Sequence, residues 1–287
     1  MATHKLDSKK FYSTEHGHNI VDLKFLKRSL SNNGCERFIY FAGDSSLDNK
    51  LWIKEYNKCV KYAPMLSPPS AKEDICFWLN KFLLENKSDL TAINTAVEAS
   101  TLHQRRKKLL KQDEFIQQNI KPNDILIVSV GGNDLAKQST VKTKYHMAKL
   151  LLSSNIEESD SFKFLVKLFK DQVQDYINDL TKLHTPKYII VCSVYFPALH
   201  GSGWADGMLS LMDYKKNYKK IHKIIRHIYE AATKKIEILF STVIPIPLFD
   251  ILDFKESSDY VDRVEPSSKG GRKIAEKFVE KILPLSQ

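Results

Sequence analysis

Two segments of this chain end a strand-like apolar run on residues that can do chemistry. Phe38-Ile39-Tyr40-Phe41-Ala42 leads straight into Gly43-Asp44-Ser45-Ser46-Leu47, and further on Ile125-Leu126-Ile127-Val128-Ser129-Val130 leads into Gly131-Gly132-Asn133-Asp134. A serine hydroxyl can attack a carbonyl and hold the acyl group as an ester. A carboxamide can donate to the oxygen on which negative charge then develops, and each such donor lowers the barrier by about 3 to 4 kcal/mol. Acyl transfer needs the two on one side of one pocket, so the question becomes which elements would put them there.

Five apolar runs read as strands, roughly at 36–42, 89–93, 124–130, 187–194 and 236–241. Helical patterns separate them. Ser70-Ala71-Lys72-Glu73 has the form of a capping box ahead of the stripe Ile75, Trp78, Leu79 and Phe82. Phe162, Leu165, Phe169, Val173, Tyr176 and Leu180 mark a second helix, residues 211–231 a third, and Ile274, Phe278 and Ile282 a last one after Gly270-Gly271. Strands alternating with helices of ten or more residues predict a doubly wound α/β domain with a parallel sheet covered on both faces. Residues 33–287 form that domain in this reading, with residues 1–32 a preceding arm that includes a short helix near Val21 to Leu30. In such a sheet every loop after a strand emerges at the same edge. That edge would gather Asp44 and Ser45, Asn94, Gly131 to Asn133, the loop from Tyr195 to Asp206 with His200 and Trp204, and finally Asp262 and Glu265.

With these residues in order, Gly43-Asp44-Ser45-Ser46-Leu47, Asn94-Thr95-Ala96-Val97-Glu98-Ala99, Gly131-Gly132-Asn133-Asp134 and Asp262-Arg263-Val264-Glu265-Pro266-Ser267 resemble the four sequence blocks of the SGNH, or GDSL-type, serine hydrolases. The resemblance implies a flavodoxin-like three-layer α/β/α sandwich with a five-stranded parallel sheet. It also implies an ester hydrolase acting on a small acyl or acetyl ester without a cofactor or metal. Ser45 matches the nucleophile. The N–H groups of Ser45 and of the residue at the second-block glycine position, together with the Asn133 side chain, match the oxyanion donors. Asp44, Asn94, Gly132, His200 and Trp204 are the expected substrate contacts.

The chain departs from the pattern twice. Ala99 stands where the second block has glycine, which keeps the N–H but adds a methyl group. Glu265 stands where the last block, Asp-x-x-His, has its histidine, with Asp262 at the aspartate position. A free glutamate is about 2 units less basic than histidine, close to 3 kcal/mol of proton affinity. Burial and a neighbouring carboxylate would raise it into a useful range. Two alternatives stay open: a displaced base, for which His200 in the 195–206 loop is on the right edge, and a silent hydrolase-fold protein that binds an acylated or carbohydrate ligand. Asp44 reads equally well as a cap of its own turn.

Composition narrows the classes. The chain has 287 residues, 43% of them hydrophobic, enough to bury a core. No apolar run approaches the roughly 20 residues of a membrane helix, and the polar start from Met1 to Asp7 lacks the core of a secretory signal, so a cytoplasmic protein is expected. Cys35, Cys59, Cys76 and Cys192 are too scattered for a disulfide framework or a zinc site and read as reduced thiols. The net charge of +10 raises nucleic acid as a partner. The lysines of 211–231 and the cluster Arg105-Arg106-Lys107-Lys108 read instead as solvated helix faces without interleaved aromatic residues. A small-molecule ester remains the expected partner, with the oligomeric state undetermined by sequence.

Overall fold

The computed structural model describes residues 5–58, 61–137 and 139–285. Strands β1 (Arg37–Gly43), β2 (Leu90–Asn94), β3 (Ile125–Ser129), β4 (Tyr188–Cys192) and β5 (Thr242–Ile246) form one sheet in the order β2-β1-β3-β4-β5. Every pair is parallel. This is a doubly wound α/β/α sandwich of flavodoxin-like order, in which the direction of winding reverses between β1 and β3. The ends of those two strands carry Asp44-Ser45 and Gly131-Gly132-Asn133, so the chemistry proposed from the sequence falls at the switch point.

Neighbouring residues of β1 document the layers. The Tyr40 ring meets Phe115 of α4 (Lys111–Asn119), whereas the Phe41 ring meets Phe278 of α10 (Ser268–Ile282). Successive side chains of a strand point to opposite faces, so these helices lie on opposite sides of the sheet. With both faces covered, Ile39 to Ala42 and Leu126 to Val128 are fully buried, which is why the strands are continuous apolar runs. Helix α2 (Ile75–Glu85) packs beside α10, and α1 (Ile20–Asn32) beside α4. In the N-terminal segment Leu6, Phe11, Tyr12, Leu23, Leu26 and Leu30 belong to the main core, and Leu6–Asp7 pairs with Leu66–Ser67.

Three local expectations are corrected. The fifth strand begins at Thr242, six residues later than its apolar run, because Phe240 adopts a left-handed conformation (φ 66°) and both Leu239 and Phe240 are solvent-exposed. The true strand contains Pro245, which a central strand would not tolerate but an edge strand does. The cap of α2 is Asp74, which accepts from the Phe77 N–H, while Ser70–Lys72 pairs as a short strand with Tyr56–Lys58. Beyond α7 (Val173–Thr181), the helix read across 211–231 is α9 (Tyr214–Ala231), which starts three residues late because the chain breaks at Asp213 (φ 45°) after a separate short helix, α8 (Asp206–Leu211). Cys35, Cys76 and Cys192 are free thiols, and Cys59 lies outside the described residues. None of the helices among the described residues is long and apolar enough to cross a membrane.

Candidate active site

The turn from Gly43 to Asp48 depends on close backbone approach. A Cβ on Gly43 would sit 2.4 Å from the Ser129 carbonyl oxygen, so only glycine lets β1 and β3 finish side by side. The Asp44 N–H then donates to that carbonyl, and the Leu47 and Asp48 N–H groups donate to the Asp44 carbonyl. The Asp44 carboxylate accepts from both the N–H and the hydroxyl of Ser46. Burial raises its pKa to about 6 against the pull of those Ser46 bonds. Asp44 therefore holds the turn while its side chain also lines the cavity beside Ser45.

Arg105, expected in a solvated basic cluster, is fully buried behind this turn. Its Nη2 donates to the Gly43 carbonyl at 2.7 Å and to the Ser100 hydroxyl at 2.9 Å, and its Nη1 pairs with Asp113. A guanidinium satisfies several acceptors at once in a fixed plane, which suits it to bracing a strand end. Its counter-charge, Asp113, stands eight residues on at the start of the next helix, α4.

Ala99 occupies the left-handed region, φ 60°. That is the conformation the block's usual glycine takes without strain, and it keeps the Ala99 N–H available as a donor. Among the described residues no group accepts the N–H of Ser45 or of Ala99. Asn133 Nδ2 gives one hydrogen to the Ser100 carbonyl at 3.0 Å, which leaves the second for the cavity. Its neighbour Asp134 accepts from the Leu102 and His103 N–H groups, tying the Asn133 turn to the start of α3 (Leu102–Lys107). The Asn94 side chain, expected to contact substrate, donates to the Leu47 carbonyl and accepts from the Ala96 N–H, and it is not among the residues that line the cavity.

An alanine at positive φ pays about 1 to 2 kcal/mol, which offsets the methyl burial that Ala→Gly normally forfeits. Ala99→Gly should therefore leave stability unchanged or raise it by up to about 1 kcal/mol, read from the urea midpoint. A loss of about 1 kcal/mol or more would contradict the strained geometry.

Glu265 stands on a short hairpin, Glu265–Pro266 against Tyr260–Val261, whose turn runs through Asp262 (φ 50°) and Arg263 (φ 67°). The side chain is 1% exposed, and Trp204 Nε1 donates to its Oε1 at 3.0 Å. Burial pushes its pKa to about 8. The Ser45 hydroxyl and the Trp204 indole pull it back, and the charges of Asp44 and Glu98 push it further up. Ser45 and Glu265 line the same cavity, and the buried Oε2 of Glu265 has no hydrogen-bond partner among the described residues. Catalytic contacts often tighten only when substrate is bound.

The expected like-charge partner, Asp262, is replaced by Asp44 and Glu98; Asp262 is half-buried in its turn and does not line the cavity. His200 is exposed and also lies outside the lining. Trp204, expected to touch substrate, lines the cavity and in addition holds Glu265. Lys137 Nζ sits over its indole at 5.6 Å. That bracing was not readable from sequence, because nothing in the spacing of 204 and 265 links them.

Ser45, Gly132, Asn133 and Glu265 open on one cavity. Away from them its walls are aliphatic, supplied by α5 (Val141–Leu152), α6 (Asp160–Lys167), α8 and α9; Ile221, Ile224, Ile225 and Ile228 of α9 line one side.

The GDSL-like lipase/acylhydrolase family profile matches residues 39–278, from β1 to α10. The chain belongs to that family. A solved lipase of the family's fold, Lip_vut3 from a goat rumen metagenome, superposes with a TM-score of 0.50 at 14% identity, covering 85% of this chain and 97% of that one. The psychrotrophic esterase EstA from Pseudoalteromonas sp. follows at 0.47 and 14%, covering 87% and 98%. No curated protein matches the sequence. Within this GDSL-type chain the segments 43–47 and 131–134 therefore sit at strand ends and Glu265 on the last hairpin.

The buried carboxyls make stability depend on pH. Glu265 (about 8) and Asp74 (about 7), both raised by burial first, keep protons in the folded state that the unfolded chain releases near the ordinary carboxylate range. The folded state binds more protons, so their contribution is complete below about pH 4 and is lost as pH rises through their folded values. His18 and His222, lowered chiefly by burial, act in the opposite sense only below the ordinary histidine pKa. The clean window is therefore about pH 6.5 to 9, where stability should fall, by about 2 kcal/mol from Glu265 alone. Urea midpoints across that window should show the decline in the wild type and a flatter profile in Glu265→Gln. A wild-type stability that rises across it would contradict the protonated carboxyl.

Proposed function

We propose that this GDSL-type chain is a serine-dependent carboxylic-ester hydrolase that works through an acyl-enzyme, with Glu265 as its proton acceptor. The observation that supports this most is the carboxyl of Glu265, buried beside Ser45, held by Trp204 and raised to a pKa of about 8. In this reading Ser45 Oγ attacks the ester carbonyl and its proton passes to Glu265. The developing oxyanion is met by the N–H groups of Ser45 and Ala99 and by Asn133 Nδ2. Collapse of the adduct expels the alcohol, which takes the proton from Glu265. Water then attacks the acyl-serine and gives its proton to Glu265, and as the acid leaves Glu265 returns that proton to Ser45 Oγ.

One observation favours the second reading, a silent ligand-binding protein. A pKa of about 8 leaves only about a tenth of Glu265 ionised near pH 7. Turnover of p-nitrophenyl butyrate separates the two. A hydrolase should release p-nitrophenol with a rate that grows as pH rises through about 8, because the ionised carboxylate is the active form. A protein with no rate above the buffer at about pH 9 would be the silent one.

A further inference from the structure

We infer that the cavity is an acyl-chain tunnel and that the substrate carries a linear, medium-length aliphatic acyl group, in place of the acetyl or small acyl group expected from sequence. The inference rests on the reading of Ser45 as nucleophile for its direction: the carbonyl sits at Ser45 and the chain runs away from the sheet edge between the helices.

Three features of the walls support it. The polar side chains are those of the strand-end residues, whereas the helices contribute mostly aliphatic and thioether groups, so the sugar of a carbohydrate ester would find few hydrogen-bond partners between them. The two tyrosine hydroxyls on the lining are already engaged, Tyr195 with the Val264 carbonyl and Tyr214 with the Pro197 carbonyl and His222 Nε2. The second feature is length. Along α9 the lining runs from Ile221 to Ile228, seven residues that at 1.5 Å each cover about 10 Å, far more than an acetyl group occupies. The third is adaptability. Met147, Met208 and Met212, three of the five methionines in the chain, line this cavity and are only partly buried. Unbranched thioethers on three rotatable bonds can reshape around a flexible chain where branched residues cannot.

The tunnel predicts a chain-length preference. Each methylene buried adds favourable transfer energy, which a site realises only in part, so kcat/KM for the p-nitrophenyl octanoyl ester should exceed that for the acetyl ester by about ten-fold or more. Met208→Trp and Met147→Trp place an indole in the tunnel from two different helices. Each should cut the octanoyl-to-acetyl ratio of kcat/KM by about ten-fold. Binding is measured separately on Ser45→Ala, by calorimetry with methyl octanoate against methyl acetate, where the octanoate ester should bind and the acetate ester should not. If acetyl esters are turned over as well as octanoyl ones and methyl octanoate does not bind, the tunnel is wrong while the hydrolase reading stands. If methyl octanoate binds and no ester is hydrolysed at any pH, the hydrolase reading fails and the tunnel stands. A plug variant that leaves both the ratio and octanoate binding at wild-type levels also overturns the tunnel.

Discussion

Ser45→Ala should abolish turnover of p-nitrophenyl esters, with a loss of about 10³-fold or more, while the melting temperature changes little. The size follows from the role: without a hydroxyl there is no acyl-enzyme, and only the donors and the cavity remain to assist attack by water. The small structural effect follows from the site. Ser45 is buried, but the turn around it is held by Asp44, Ser46 and the Gly43 backbone rather than by its own hydroxyl. Equal rates in variant and wild type would place any esterase activity elsewhere on the molecule.

Glu265→Gln should lose about 10² to 10⁴ in rate, whereas His200→Ala should stay within about two-fold of wild type. The amide is nearly the size of the carboxyl and can still accept from Trp204 Nε1, so packing is kept and only basicity goes. His200 is exposed and outside the cavity lining, so it has no path to the serine proton. The same glutamine variant should be more stable than wild type at about pH 9, since it carries no charge to bury. A variant that is both slower and more stable is the signature of a strained functional group rather than a packing defect. Equal losses from Glu265→Gln and His200→Ala would point to disruption, and a loss from His200→Ala alone would move the base to the 195–206 loop.

Much of the placement was legible because strand ends announce themselves. Gly43 and Gly131 close apolar runs that are buried on both faces, and the parallel sheet then brings Ser45 and Asn133 to one edge without further information. What escaped depends on tertiary contact. Arg105 looks like one of four solvated cations because its helix is only six residues long, too short for periodicity to show that it alone points inward. The fifth strand begins at Thr242 rather than in the apolar run before it, because Leu239 and Phe240 are exposed at a left-handed turn that hydrophobicity alone does not reveal. Asn94 has the right residue type at the right strand end, yet its amide is consumed by the Leu47 carbonyl and the Ala96 N–H. The pairing of Trp204 with Glu265 and the tunnel between four helices arise from how separate elements dock, which no local pattern encodes.

The most direct measurement is the pH dependence of Ser45 labelling by a fluorophosphonate, followed by mass spectrometry, because it needs no knowledge of the natural substrate. The Ser45–Glu265 account predicts a single adduct on Ser45 whose rate of formation rises with an apparent pKa near 8, and a loss of about 10²-fold or more in Glu265→Gln. An adduct that forms with a histidine-like midpoint near pH 6.5 and persists in Glu265→Gln, or no adduct on Ser45 at any pH, would contradict it.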